Sequence, residues 1–197
     1  MTDDEVSGLI EEFHMPLHVQ RHCAAVANFA KELGKKLIAA GEKMDLKLLH
    51  HAALLHDLVR VVDFKKFEPE EFPDPISAKD IAFWKMLREK YKGLHHAEAG
   101  ARILEERGFK EIARLVRSHR FLQIKEGFNS WEEKILYYAD KRTKHDKVVT
   151  LKERLADGRQ RNAPETENTK EAAELDEKVF TLEREILTKI GEAKPID

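Results

Sequence analysis

A single cysteine, Cys23, in 197 residues excludes an internal disulfide and a thiolate-built metal site. Six prolines and nine glycines are too few for a fold made of short strands and tight turns. No apolar run approaches the roughly 18 residues of a membrane span. Neither charge sign dominates: 35 basic residues against 37 acidic ones leave a formal charge of −2, so no global field draws the chain onto nucleic acid or anionic lipid. The first residues, Met1-Thr2-Asp3-Asp4-Glu5, lack the basic and apolar regions of a signal peptide, which sets the expectation of a cytoplasmic protein. What is present is 37% charged and 42% hydrophobic residues, the balance of long amphipathic helices with solvated outer faces, and ten histidines. The expected fold class is all-α.

From Pro16, the residues Val19, His22, Cys23, Val26, Ala30, Leu33 and Leu37 form one stripe at helical spacing that ends near Gly41. A second helix starts at Asp45, an N-cap residue, and runs towards Val62 with Leu48, Leu49, Ala52, Ala53, Leu55 and His56 inward. Pro69, Pro73 and Pro75 make residues 64–78 a loop, read as a surface flap. Helices follow at about 79–91, 96–107 and 110–120, with Gly93 and Gly108 as stops. Ser130 and Glu133 form a capping-box pattern for a helix from Trp131 to Ala156. The expected organisation is a domain over 1–156, a polar linker over 157–169, and a C-terminal segment over 170–197 whose helix runs over about 170–190. That helix carries Ala172, Leu175, Val179, Leu182, Ile186 and Ile190 on one face, which can seal its own core or pair with a second copy in a homodimer.

His22, His56, His96, His119 and Asp140 each occupy the apolar stripe of a predicted helix, and Asp57 adjoins His56. One histidine on such a stripe is usually a hydrogen-bonded core residue. Five segments supplying inward polar groups, two carboxylates beside four imidazoles, call instead for a compensating positive charge, because burying an unpartnered carboxylate costs several kcal/mol. A divalent cation supplies it. Histidine and carboxylate donors suit Fe, Mn, Co, Ni or Zn, with Mg also admissible. His14, His18, His50, His51, His95 and His145 read as surface or packing residues; His18, one turn before His22, stands nearest the site, and His95 competes with His96 for one role.

These residues resemble the HD phosphohydrolases, whose signature is a histidine, an adjacent His-Asp pair and a distant aspartate converging from different helices. Here they are His22, His56-Asp57 and Asp140. The strings Ala52-Ala53-Leu54-Leu55-His56-Asp57-Leu58-Val59-Arg60 and Tyr138-Ala139-Asp140-Lys141 are similar to the second and last motifs. His96-Ala97-Glu98-Ala99-Gly100 and Ser118-His119-Arg120 look like the additional histidine segments of binuclear members. Arg120 replaces the glutamate or threonine usual after the second histidine, the 64–78 loop has no obvious counterpart, and the Gly-Tyr-Pro motif of the cyclic-dinucleotide group is absent.

The resemblance implies a helical bundle in which His22, His56, Asp57 and Asp140 hold one metal and Asp57, His96 and His119 a second. It implies water-driven cleavage of a phosphoester or phosphoanhydride in a small phosphorylated substrate, a nucleotide by family precedent. Asp57 is then a catalytic candidate. Arg60, one turn after His56, and Lys141, beside the last ligand, are candidates for phosphate contact; each also reads as a charge on a solvated helix end, and Arg120 and Arg142 are weaker candidates of the same kind. Two other functions fit the same ligands: a di-iron oxygenase, and a catalytically silent nucleotide-binding module.

Overall fold

In a computed structural model, residues 1–162 and 169–192 are described. They form ten helices and one two-stranded hairpin. The order is α1 (Asp3–Glu12), α2 (Leu17–Ala39), α3 (Leu46–Leu55), α4 (Ala78–Lys90), α5 (His96–Glu106), α6 (Lys110–Arg117), α7 (Gln123–Glu126), α8 (Trp131–Arg142), β1 (Thr143–Lys144), β2 (Lys147–Val148), α9 (Leu151–Asn162) and α10 (Thr169–Ile190). The all-α class is as the composition implies.

Amphipathic stripes build the core. Val26, Leu33 and Leu37 of α2, Leu49, Ala52 and Leu55 of α3, Leu104 of α5, Leu115 and Val116 of α6, and Ile135 and Leu136 of α8 are all buried in one cluster. Each fully buried leucine contributes about 1.5–3 kcal/mol relative to an exposed one. Helices α2 and α3 come together at Gly34, where an added Cβ would stand 2.5 Å from Leu46 Cδ2. Gly93 and Gly108 adopt φ of 82° and 84°, the left-handed conformation that ends a helix most cheaply at glycine.

The chain departs from the sequence-based expectation at several places. Helix α1 went unread, although Thr2 and Glu5 cap it reciprocally and Val6 and Leu9 bury its inner face. Helix α3 stops at Leu55 rather than running towards Val62; the chain tightens into turns and a 3-10 turn over Arg60–Asp63. The 131–156 helix is broken: Thr143 turns its hydroxyl back onto Ala139 C=O (2.8 Å), His145 takes φ of 55°, and a hairpin pairs Thr143 with Val148 before α9 begins. Helix α9 then continues to Asn162, through the first half of the polar stretch expected to be a linker. The remainder of that stretch, 163–168, and the end of the C-terminal segment, 193–197, lie outside the described residues.

Helix α10 packs on α2, α7 and α8 of its own chain, with Leu175, Val179, Leu182, Ile186 and Leu187 buried. A buried polar contact fastens it: Tyr138 Oη donates to Glu183 Oε1 (2.7 Å), and Arg142 Nη1 donates to Tyr138 Oη (2.6 Å) and Glu183 Oε1 (3.3 Å). No helix among the described residues is long and apolar enough to cross a membrane.

Candidate metal centre

The polar residues come from separate elements. His56 is the C-cap of α3, still at helical dihedrals (φ −60°, ψ −31°), and Asp57 follows it; both are buried. His119 likewise stands just beyond the C-cap of α6, Ser118, and not within the helix expected over 110–120. His22 comes from α2, His96 from the first position of α5, and Asp140 from the last turn of α8. The structure thus gathers all six metal-ligand candidates, in two trios: His22, His56 and Asp140; and Asp57, His96 and His119.

Asp57 lies between the trios. Its Oδ1 is 2.8 Å from His96 Nε2 and 3.6 Å from His119 Nε2, while its Oδ2 is 3.8 Å from His56 Nε2. His56 Nε2 is also 3.8 Å from Asp140 Oδ1, which stands 3.2 Å from His22 Nε2.

All four imidazoles are oriented the same way. His22 Nδ1 donates to His145 C=O (2.7 Å), His56 Nδ1 to Ala53 C=O (2.7 Å) and His119 Nδ1 to Val116 C=O (2.5 Å), while His96 Nδ1 stands 2.5 Å from Asp63 Oδ2. The three carbonyl oxygens can only accept, so the hydrogen-bond network assigns a proton to Nδ1 of His22, His56 and His119, while His96 Nδ1 stands between the Asp63 carboxylate and Arg60 Nη1 (2.6 Å). In its neutral form each ring offers an Nε2 lone pair to the interior; burial disfavours charge on His56, yet Cys23, Asp57 and Asp140 raise it well above 6.5, so in the absence of another cation a proton is held there. In the interior the lone pairs meet acceptor oxygens and one another: His96 Nε2 and His119 Nε2 are 2.9 Å apart, and His56 Nε2 is buried without a hydrogen-bond partner. Only a proton or a cation between such atoms makes the approach favourable. Two nitrogens each about 2.1 Å from one ion at a right angle stand about 3.0 Å apart, close to the spacing found. The donor set therefore fits a divalent metal, and His119, which burial pushes down to about 3, is held in the neutral form that a metal ligand requires.

The carboxylates are ionised against their burial. Desolvation alone would raise Asp140, but Lys141, His22 and His56 hold it well below its ordinary value of 3.8. Asp57 is likewise held well below, its burial outweighed by His56, His96 and His119. Lys141 is buried; its Nζ pairs with the Asp140 carboxylate, donates to His119 C=O (3.3 Å) and lies 5.0 Å from the Tyr137 ring centre.

The phosphate candidates separate. Lys141 is at the centre. Arg60 reaches it too, with Nε 3.8 Å from Asp57 Oδ2, yet its Nη1 is engaged by Asp63 (3.0 Å). Arg120 lies 3.6 Å from Glu126. Arg142 belongs to the α8–α10 contact, fully buried. Of the two adjacent histidines, His96 enters the cluster; His95 is the exposed N-cap of α5, its ring accepting from Ala97 N at 3.2 Å. Asp63 and the three carbonyls were not found from sequence. Backbone oxygens carry no residue signal, but Asp63, three residues after Arg60 behind the apolar Val61-Val62, carried a readable one.

Comparison with curated proteins and with solved structures returns no match. The family model described as the HD domain matches residues 19–156, a span that contains both trios and more than half of the chain. The chain belongs to the HD domain family.

Proposed function

We propose that the protein is a metal-dependent phosphohydrolase that cleaves a phosphoester or phosphoanhydride in a small substrate of the nucleotide class. The observation that carries this reading is the common orientation of four imidazoles, three buried and His22 half-buried, whose Nε2 atoms converge with two ionised carboxylates in two adjoining trios. His22, His56 and Asp140 would hold one divalent cation and His96 and His119 a second, with Asp57 shared between them. Cations bound there would acidify water to near neutral pH and neutralise phosphoryl oxygens.

The chain supplies the rest. Asp57 presents one oxygen to each trio and fixes their spacing. Lys141 brings a desolvated ammonium to the centre, where it can compensate charge on a phosphate in place of Asp140. His18, one turn before His22, and Phe64, next to Asp63, form an aromatic surface with Phe72: the ring centres are 6.1 Å (His18–Phe64), 5.9 Å (His18–Phe72) and 5.7 Å (Phe64–Phe72) apart. Such a surface can stack a planar base, which supports the nucleotide class.

The test is release of inorganic phosphate from nucleoside mono-, di- and dinucleoside polyphosphates with Mn, Fe, Co, Ni, Zn and Mg, alongside Asp57→Asn. Hydrolysis with at least one metal, reduced about 100-fold or more in the variant, is expected. Hydrolysis unaltered by the substitution, or oxygen consumption without phosphate release, would contradict the proposal.

A further inference from the structure

Three of the four imidazoles are anchored by backbone carbonyls, of His145, Ala53 and Val116. The fourth is anchored by a side chain. His96 Nδ1 lies 2.5 Å from Asp63 Oδ2, and Arg60 Nη1 holds that same oxygen from 3.0 Å. Arg60 and Asp63 are the first and last residues of the 3-10 turn that follows the His-Asp pair, and the turn places both at the rim of the trio Asp57, His96 and His119.

We infer that Asp63 is a positioning residue for the metal position formed by Asp57, His96 and His119, and that it sets the affinity of that position without affecting the one formed by His22, His56 and Asp140. A carboxylate accepting the Nδ1 proton pushes electron density toward Nε2 and makes it a stronger donor than a ring hydrogen-bonded to a neutral carbonyl. It also fixes the ring plane, which lets Nε2 stand 2.8 Å from Asp57 Oδ1 and 2.9 Å from His119 Nε2. Arg60 holds Asp63 in place through the Nη1 hydrogen bond of 3.0 Å. Asp63, His95 and His96 are themselves close enough to form a third trio, but the guanidinium of Arg60, 2.6 Å from His96 Nδ1, already supplies the positive charge there.

This inference rests on the metal centre proposed above but not on hydrolysis, so its test is metal uptake. Full-length wild type, Asp63→Asn and Asp63→Glu are stripped with chelator and titrated with Mn, read by calorimetry and by electron paramagnetic resonance. Wild type takes up two equivalents. Asp63→Asn keeps the first with unchanged affinity and binds the second about 10–100-fold more weakly. Asp63→Glu restores part of that loss, because the charge returns on a longer arm. Unchanged binding of both equivalents in Asp63→Asn, equal weakening of both, or uptake of a single equivalent by the wild type would overturn the inference. Selective loss of the second equivalent supports it whether or not the protein releases phosphate from any ester.

Discussion

At the scale of single residues, the centre is specified by where protons sit. Three Nδ1 protons are committed to backbone carbonyls outside the cluster and His96 Nδ1 faces Asp63, so all four Nε2 atoms point inward at the carboxylates, where a proton or a cation must stand between them. Among the described residues, Lys141 is the one lysine or arginine buried there. Replacing it by methionine is expected to lower kcat about 100-fold while leaving Mn uptake intact, since no ligand atom is removed. Steady-state phosphate release and a Mn titration on the same preparation check both halves. Phe72 touches none of the ligands, so Phe72→Ala is expected to raise KM about tenfold at constant kcat, the effect of one lost stacking contact. An unchanged KM would remove the aromatic surface from substrate binding. The inward histidines were legible because each sits at helical spacing among apolar residues, as His22 does between Val19 and Val26. Their anchors were not, because a carbonyl has no letter in the sequence.

At the scale of elements, the site depends on where helices stop. Periodicity found α2, α4, α5 and α10 to within a residue or two, because their stripes run uninterrupted between recognisable caps. It overran α3 and α8, because Leu58, Val59, Val61 and Val62 and the run after Arg142 stay compatible with helical spacing, and only tertiary contacts choose the turn. The hairpin after α8 shows what the break provides: residue 145 delivers its carbonyl to His22 from a left-handed conformation at φ 55°. That role belongs to the backbone. His145→Gly is therefore expected to keep Mn affinity and activity within about twofold, because glycine adopts this conformation without strain. His145→Val, β-branched and strained at positive φ, is expected to weaken Mn binding, which an isothermal titration would read. Weaker binding in His145→Gly, equal to that in His145→Val, would assign the role to the imidazole instead.

At the scale of the whole molecule, α10 and the metal centre are joined through α8, which buries Tyr138 and Arg142 against Glu183 and carries Asp140 on the same turn. Glu183→Ala withdraws an acceptor from two buried donors and is expected to cost about 2–4 kcal/mol in urea unfolding at constant m-value. The acid limb of stability has a defined sign. Burial pushes His119 from the ordinary 6.5 down to about 3, so below 6.5 the unfolded chain binds a proton that the folded chain refuses. The His119 contribution then falls as pH drops from 6.5 towards 3 and is fully present above that window, whereas His56, which despite its burial Cys23, Asp57 and Asp140 raise well above 6.5, contributes stability that is lost as pH rises above 6.5. Asp57 and Asp140, held well below 3.8, add to the loss as pH falls through the carboxylate range. Added metal should stabilise the fold by about 2.7 kcal/mol at 100 times its Kd, read as a higher urea midpoint, and this gain should vanish first on acidification because protons compete for the same nitrogens.

The most direct measurement is anomalous diffraction from crystals soaked in Mn at neutral pH. Two peaks are predicted, one within reach of His22, His56 and Asp140, the other of Asp57, His96 and His119. Crystals that show no peak inside the cluster, or Mn only at surface carboxylates, would contradict the convergence of these six side chains on bound cations.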